Sequence, residues 1–265
     1  MDLCSIASGS SGNCIFMGTE STKILIDAGI SAKQTQLGMQ TINRSPEELN
    51  GILVTHEHSD HIRGIGVLTR KYKIPVYATA GTIAAIKRSR SLGKLDESLF
   101  HEIKADVNFQ IGDMEIVPIR TSHDAAQSVA YRVNAGGKSA AVVTDLGVYT
   151  DYTISKLQGL DAIVLEANHD VRMLQAGVYP YYLKKRILSD HGHLSNENAG
   201  RLLCSILHDG MKYIFLGHLS KENNYEALAY ETVCTEVTLG NNPYCADDFH
   251  ICVAKRDCPS ELASL

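Results

Sequence analysis

Five apolar runs in this chain stop at a residue able to bind a metal ion, and that repeated arrangement restricts the fold more than any other feature. "ILIDAG" leads to Asp27, "ILVTHEHSDH" to His56 through His61, "IRTSHD" to His123, "AVVTDLG" to Asp145 and "IFLGHLS" to His218. Each run is short, rich in Ile, Val and Leu, and bounded by turn residues, the signature of a buried strand. Neighbouring strands of a sheet align their ends, so side chains far apart in sequence can converge on one cleft. A single histidine after a strand means little. Five such ends predict a shared pocket.

The densest of the five holds His56, His58, Asp60 and His61 within six residues. Alternate residues of an extended loop point the same way, so His56 and His58 can share one ion, while Asp60 and His61 can reach a second. A carboxylate such as Asp145 can bridge two cations about 3.5–4 Å apart. Imidazole and carboxylate ligands suit zinc, manganese or iron.

The remaining sequence supplies the frame. Strands are predicted over 3–7, 14–18, 23–29, 51–55, 114–122, 128–133, 139–145, 161–168, 212–218 and 249–254, with "PVYAT" as a further strand. Helices are predicted over 62–72 and 80–91. Ser45, Pro46 and Glu48 form a capping box that starts a helix. From Ser195 an amphipathic helix carries Ala199, Leu202, Leu203, Ile206 and Leu207 on one face and stops at Gly210. The turn "SGSSGN" reads either as a phosphate cradle or as a hairpin loop. Strands followed by strands with helices, twice over, predict one α/β domain over residues 1–265: two sheets with helices outside.

Composition excludes some functions. A net charge of −5 over 265 residues rules out a strongly basic, non-specific polyanion binder, but not a nuclease whose ions carry the local electrostatics. No run approaches the roughly 18 apolar residues of a membrane span. "MDLCSIASGSSGN" lacks an apolar signal core, and the seven cysteines form no C-x-x-C pair, so a cytoplasmic location is expected.

His56-x-His58-x-Asp60-His61, with Asp27 before it and His123, Asp145 and His218 after it, resembles the metallo-β-lactamase fold superfamily, from about residue 3 to 225 or beyond. The resemblance implies an αββα sandwich of two mixed β-sheets flanked by helices, with a dinuclear site at one edge. It implies that His56, His58 and His123 bind one ion, that Asp60, His61 and His218 bind the other, and that Asp145 bridges. Asp27 then orients the metal loop. "LEANHD" and "GHLSNENAG" look like the glutamate and Gly-His-Ser elements of tRNA 3′-processing ribonucleases and related phosphodiesterases. That implies a catalytic set of Asp60, Glu166 and His193, with His193 on the scissile phosphate and Glu166 supporting it. The residues agree independently, because His193 precedes the N-cap Ser195, where a helix favours an anion. His169 and His191 read as bystanders.

Taken together, "SGSSGN", "LVTHEHSDHIRG", "DHGHLSN" and "GHLSKENN" resemble the WalJ/YycJ-type branch, which implies a 5′-to-3′ exonuclease acting on DNA in the bacterial cytoplasm. Only 72 residues separate Asp145 from His218, too few for a β-CASP insertion. No long Gly/Pro-rich tRNA-holding arm is present. "RKYK" (70–73), "KRSRSLGK" (87–94) and "YPYYLKKR" (179–186) read as a nucleic-acid track or as solvated helix faces. The last is best placed, with Lys184, Lys185 and Arg186 just ahead of His193. Rival readings are a small-molecule or cyclic-nucleotide phosphodiesterase, an RNA-processing nuclease, a glyoxalase II-like thioesterase with no need of Glu166 and His193, and a non-enzymatic metal-stabilised binding module.

Overall fold

The computed structural model describes residues 1–265. One seven-stranded sheet contains β1 (Asp2–Ala7), β2 (Cys14–Gly18), β3 (Lys23–Ile26), β4 (Gly51–Leu53), β5 (Val76–Thr79) and β6 (Phe100–Ile103). The C-terminal β14 (Ala263–Ser264) joins it beside β1. The other contains β7 (Phe109–Ile111), β8 (Met114–Arg120), β9 (Val129–Ala135), β10 (Lys138–Val143), β11 (Ala162–Glu166), β12 (Tyr213–Gly217) and β13 (His250–Val253). Helices α1 (Ala32–Thr41), α2 (Ser59–Ile62), α3 (Ile65–Tyr72) and α4 (Ala80–Arg88) belong to the first half of the chain. The second half contributes α5 (Asp151–Lys156), α6 (Val171–Ala176), α7 (Tyr181–Ile187), α8 (Asn196–Ile206) and α9 (Glu226–Leu239).

Strand sequences explain the layering. The central strands are apolar on both faces, as expected where a sheet is covered on each side. In β3, Ile24 and Ile26 point into the core between the sheets, while Leu25 joins Ile65, Leu68 and Ile86 of α3 and α4. In β11, Ala162 and Val164 face the inner core, and Ile163 and Leu165 pack against Leu202 and Leu203 of α8 and Val233 of α9. Two outer cores and one inner core make an αββα sandwich.

Strand direction places the ends. β3 to β6 run parallel, as do β10 to β13, and β8 runs parallel to β10 because both are antiparallel to β9. The residues that follow β3, β4, β8, β10 and β12 therefore emerge at carboxyl ends, where open α/β sheets carry their ligands. Two hydrogen bonds tie the sheets together there: the Tyr131 hydroxyl donates to Val54 O (2.9 Å) and Val129 N donates to Thr55 O (3.0 Å).

Several expected boundaries shift for local reasons. The strand runs stop before their polar residues because Asp27, Asp145 and His218 adopt positive φ (61°, 57° and 54°), which no strand accommodates. The Ser45 capping box forms, but Leu49 is extended and only a 3₁₀ turn over Pro46–Glu48 results. The helix expected over 62–72 is two helices, α2 and α3, meeting at Arg63 and Gly64. The helix expected over 80–91 ends at Arg88 and is followed by a 3₁₀ turn at Arg90–Leu92. α8 starts after Ser195 as expected but ends at an extended Leu207, before Gly210.

Tyr131 is fully buried between the sheets. Tyr131→Phe should lower stability by about 1–3 kcal/mol, the cost of leaving a buried acceptor unpaired. Urea denaturation should show a lower midpoint with an unchanged m-value.

Candidate metal centre and phosphate site

Construction of the centre begins with the main chain. His56 follows β4, and His58 is the N-cap of the single-turn helix α2, which presents Asp60 and His61. Gly29 lies against this loop so closely that an added Cβ would sit 1.6 Å from Asp60 O, so no larger residue fits. Asn13 braces it from the other side: Asn13 N donates to Asp60 O (2.8 Å), and its amide lies 3.2 Å from His61 Nε2. This is the work of the "SGSSGN" turn. Gly9, Ser10, Gly12 and Asn13 amides donate to Asn13 Oδ1, Leu219 O, Gly9 O and Asp60 O, so the turn is a brace rather than a phosphate cradle.

Hydrogen bonds at Nδ1 then orient the rings. His61 Nδ1 donates to Asp27 Oδ2 (2.7 Å), and His123 Nδ1 donates to Gly192 O (3.0 Å). His218 Nδ1 donates to Glu166 Oε1 (2.9 Å). The Thr55 hydroxyl gives its hydrogen to Asp27 and accepts from His56 Nδ1 (3.0 Å). A carbonyl or carboxylate can only accept, so each Nδ1 carries the hydrogen and each Nε2 points inward. There the Nε2 atoms meet carboxylates: His61 lies 3.1 Å and His218 3.6 Å from Asp145 Oδ2, and His123 lies 3.4 Å from Asp145 Oδ1. His218 Nε2 also lies 3.4 Å from Asp60 Oδ2, and His123 Nε2 lies 3.3 Å from His58 Nδ1.

Lone pairs facing carboxylate oxygens repel unless positive charge lies between them. Within this cluster, His56 Nε2 and Asp145 Oδ2 are buried and have no hydrogen-bond partner. Ligand atoms of His56, His58 and His123 lie within 4.8 Å of one another, as do those of Asp60, His61 and His218, and those of His56, His61 and Asp145. The donor set is all nitrogen and oxygen. These residues fit divalent cations.

Charge balance agrees. Burial opposes protonation of His61 and His218, yet nearby carboxylates, Asp145 foremost, raise His61 well above its ordinary value and His218 to about 10. Burial would raise Asp145, but the charges of His218 and His61 hold it well below the carboxylate range. Burial pushes His56 and His123 down.

Glu166 is the other anchor. It occupies the end of β11, fully buried, on the same face as Val164. Its carboxylate accepts from His193 Nδ1 (2.8 Å), His218 Nδ1 (2.9 Å), Leu146 N (2.9 Å) and Leu194 N (3.1 Å). Burial would raise its pKa, but His193 and His218 bring it down to about 2. Burial opposes charge on His193 and Glu166 overrides it, so His193 is raised. The His193 side chain retains 17% exposure and sits just before α8, whose N-cap Ser195 accepts from Asn198 N.

The structure thus brings together Asp27, His56, His58, Asp60, His61, His123, Asp145, Glu166, His193 and His218. Of the basic trio, Arg186 commits its guanidinium to Asp124 (Nη2 to Oδ1 2.9 Å), Lys184 Nζ donates to Gln175 O (2.8 Å) and Lys185 is exposed. Sequence reasoning missed Asn13, Thr55, Glu57 and Asp124. Thr55 and Asp124 flank identified histidines, Glu57 accepts from Ala126 N beyond His123 (2.7 Å), and Asp124 Oδ1 lies 3.4 Å from His123 Nε2. His169 is buried with neither ring nitrogen paired, and the His191 ring pairs with the Ser122 hydroxyl.

Two seven-stranded sheets flanked by helices, with a His/Asp cluster at their carboxyl edge, define a metallo-β-lactamase fold that uses divalent metal. The Beta-lactamase superfamily domain profile matches residues 22–212, and the chain belongs to that superfamily. It is 44% identical over 232 residues to Exodeoxyribonuclease WalJ of Streptococcus pneumoniae, covering 88% of this chain and 86% of that protein. It is 41% identical over 228 residues to Exodeoxyribonuclease YycJ of Bacillus anthracis, covering 86% of each. Among solved structures, the metallo-beta-lactamase fold protein YhfI of Bacillus subtilis shares the fold at a TM-score of 0.71 and 17% identity, over 99% of both chains.

Asp27→Asn keeps the size and the αL-tolerant residue type but turns an amide toward His61. It should weaken divalent-metal binding about 10–100-fold, as loss of such outer support does. Equilibrium dialysis with elemental analysis measures this.

Proposed function

We propose that this protein is a metal-dependent exodeoxyribonuclease that degrades DNA from the 5′ end, in the cytoplasm. The observation that carries the reading is the Glu166–His193 pair, built into the metal centre through the Glu166 oxygen that also holds His218. A thioesterase or a structural metal site needs no such pair. Two relatives named exodeoxyribonuclease support the DNA substrate, and seven unpaired cysteines fit a reducing compartment. No helix is long and apolar enough to cross a membrane.

Two ions, zinc or manganese with iron also compatible, would be held by His56, His58 and His123 on one side and by Asp60, His61 and His218 on the other, with Asp145 between. The chemistry supplied by such ions is Lewis-acid stabilisation of phosphoryl charge and a water nucleophile at neutral pH. Asp27 and Thr55 hold the rings of His61 and His56 in their ligating orientation. Glu166 keeps the hydrogen on His193 Nδ1 and raises the pKa of that ring, which favours a proton on Nε2. His193 then donates to a phosphoryl oxygen or protonates the departing one. The N-terminus of α8 adds partial positive charge beside it. Lys184 and Lys185 extend the cationic track away from the centre.

The purified protein should be assayed with each metal on end-labelled single- and double-stranded DNA, RNA and a cyclic nucleotide. DNA degraded from the 5′ end, and nothing after chelation, supports the proposal. Turnover of the cyclic nucleotide with DNA intact overturns it. His193→Ala should slow single-turnover DNA cleavage by about 10²–10⁴-fold, the usual worth of a general acid, with metal content unchanged.

A further inference from the structure

Large apolar side chains that stay in water are concentrated in one short segment of this chain. Val178 is 90% exposed, Tyr181 81% and Tyr182 73%, and Leu188 is also exposed. Four of the twelve exposed large apolar residues thus fall within eleven positions, and they include the first, second and fourth most exposed. Exposed apolar side chains grouped this closely in the chain point to a binding surface. The segment contains α7, whose residues Tyr181, Lys184 and Lys185, with Leu188 at its C-cap, follow helical spacing and form one face. With Gln175 and Ser189 they line an open groove of about 580 Å³.

This groove is mechanically joined to the phosphate site. His193 N donates to Ile187 O, the last residue of α7 (3.1 Å). Arg186, one turn from Tyr182, is paired with Asp124, whose Oδ1 lies 3.4 Å from His123 Nε2. Tyr181 stands about 8 Å further along the helix axis than Arg186. The helix therefore forms a short ramp from the reacting centre to the two tyrosines.

We propose that Tyr181 and Tyr182 are a base-stacking platform for the substrate strand, with Lys184 and Lys185 meeting its phosphates. This rests on the nuclease reading above. The side-chain chemistry selects the occupant. Phenol rings offer flat faces to any nucleobase, and the neighbouring lysines match a polyanion. An apolar protein partner or a lipid tail would gain nothing from two ammonium groups on the same face. Stacking is indifferent to base identity, so the platform gives grip without sequence preference. It requires bases that are unpaired at the end being degraded.

The test is a cycle between protein and substrate, using the metal-loaded enzyme. The substrates are a 5′-phosphorylated oligodeoxynucleotide, the same strand with abasic sites at its first nucleotides, and bis(p-nitrophenyl) phosphate as a base-free phosphodiester. Tyr181→Ala and Tyr182→Ala should each raise KM for the normal strand about 5–100-fold, from roughly 1–3 kcal/mol per stacked base. Phe at either position should retain most of the affinity. Hydrolysis of bis(p-nitrophenyl) phosphate should be unchanged. On the abasic strand the wild-type enzyme should already show the raised KM, and the alanine variants should add little. Equal KM for normal DNA in wild type and both variants would overturn the proposal and leave the face to a protein or membrane partner. An alanine penalty of full size on the abasic strand would also overturn it. Absence of any phosphodiester hydrolysis by the wild-type enzyme would instead remove the nuclease reading itself.

Discussion

The centre depends on acceptors placed behind the histidine rings. Asp27, Thr55, Gly192 O and Glu166 each take a hydrogen bond from an Nδ1, and this fixes both the tautomer and the aim of His61, His56, His123 and His218. Three of the inward Nε2 atoms, those of His61, His123 and His218, then crowd the Asp145 and Asp60 carboxylates at distances that only intervening positive charge makes favourable. The protein therefore builds a cation site from the outside inwards. Glu166 is the economical part of this design, because one oxygen orients both a ligand-type histidine and His193. The metal centre and His193 are thereby joined through a single buried carboxylate.

Holding that geometry costs local strain. Asp27, Asp145 and His218 lie in the left-handed region, worth roughly 1–2 kcal/mol each for a non-glycine residue. The turn is what takes each side chain out of the strand and toward the cleft. The sandwich supports it: the inner core of Ile26, Tyr131, Val142, Val164 and Phe215 lies beneath these turns, and Tyr131 locks the sheet carrying Asp145 to the segment that leads into His56. Strained positions in such a frame are typical of functional sites.

Much of this was legible in the sequence. The five apolar runs ending in Asp27, His56, His123, Asp145 and His218 are real strands whose ends meet, because parallel neighbours must bring their carboxyl ends to one edge. Ser195 was readable as a cap because capping is local chemistry. What escaped has no local pattern. Thr55 and Asn13 act through contacts that exist only once distant segments have packed. In α9 only Ala229, Val233 and Val237 are buried, too thin a stripe among mixed residues to announce a helix. β6 and β7 sit at sheet edges with partly exposed faces, so their alternation is weak. Arg186 looked like a free cation in sequence, and its partner Asp124 is 62 positions away.

Nitrogen-15 NMR of the histidine rings in the zinc-loaded protein addresses the proposed order of construction at its root, because it reports which nitrogen carries the hydrogen and which is perturbed by metal. The account predicts that His56, His61, His123 and His218 are protonated at Nδ1, with Nε2 shifted on zinc binding. Protonation at Nε2 with zinc bound, in any two of these four rings, would contradict it.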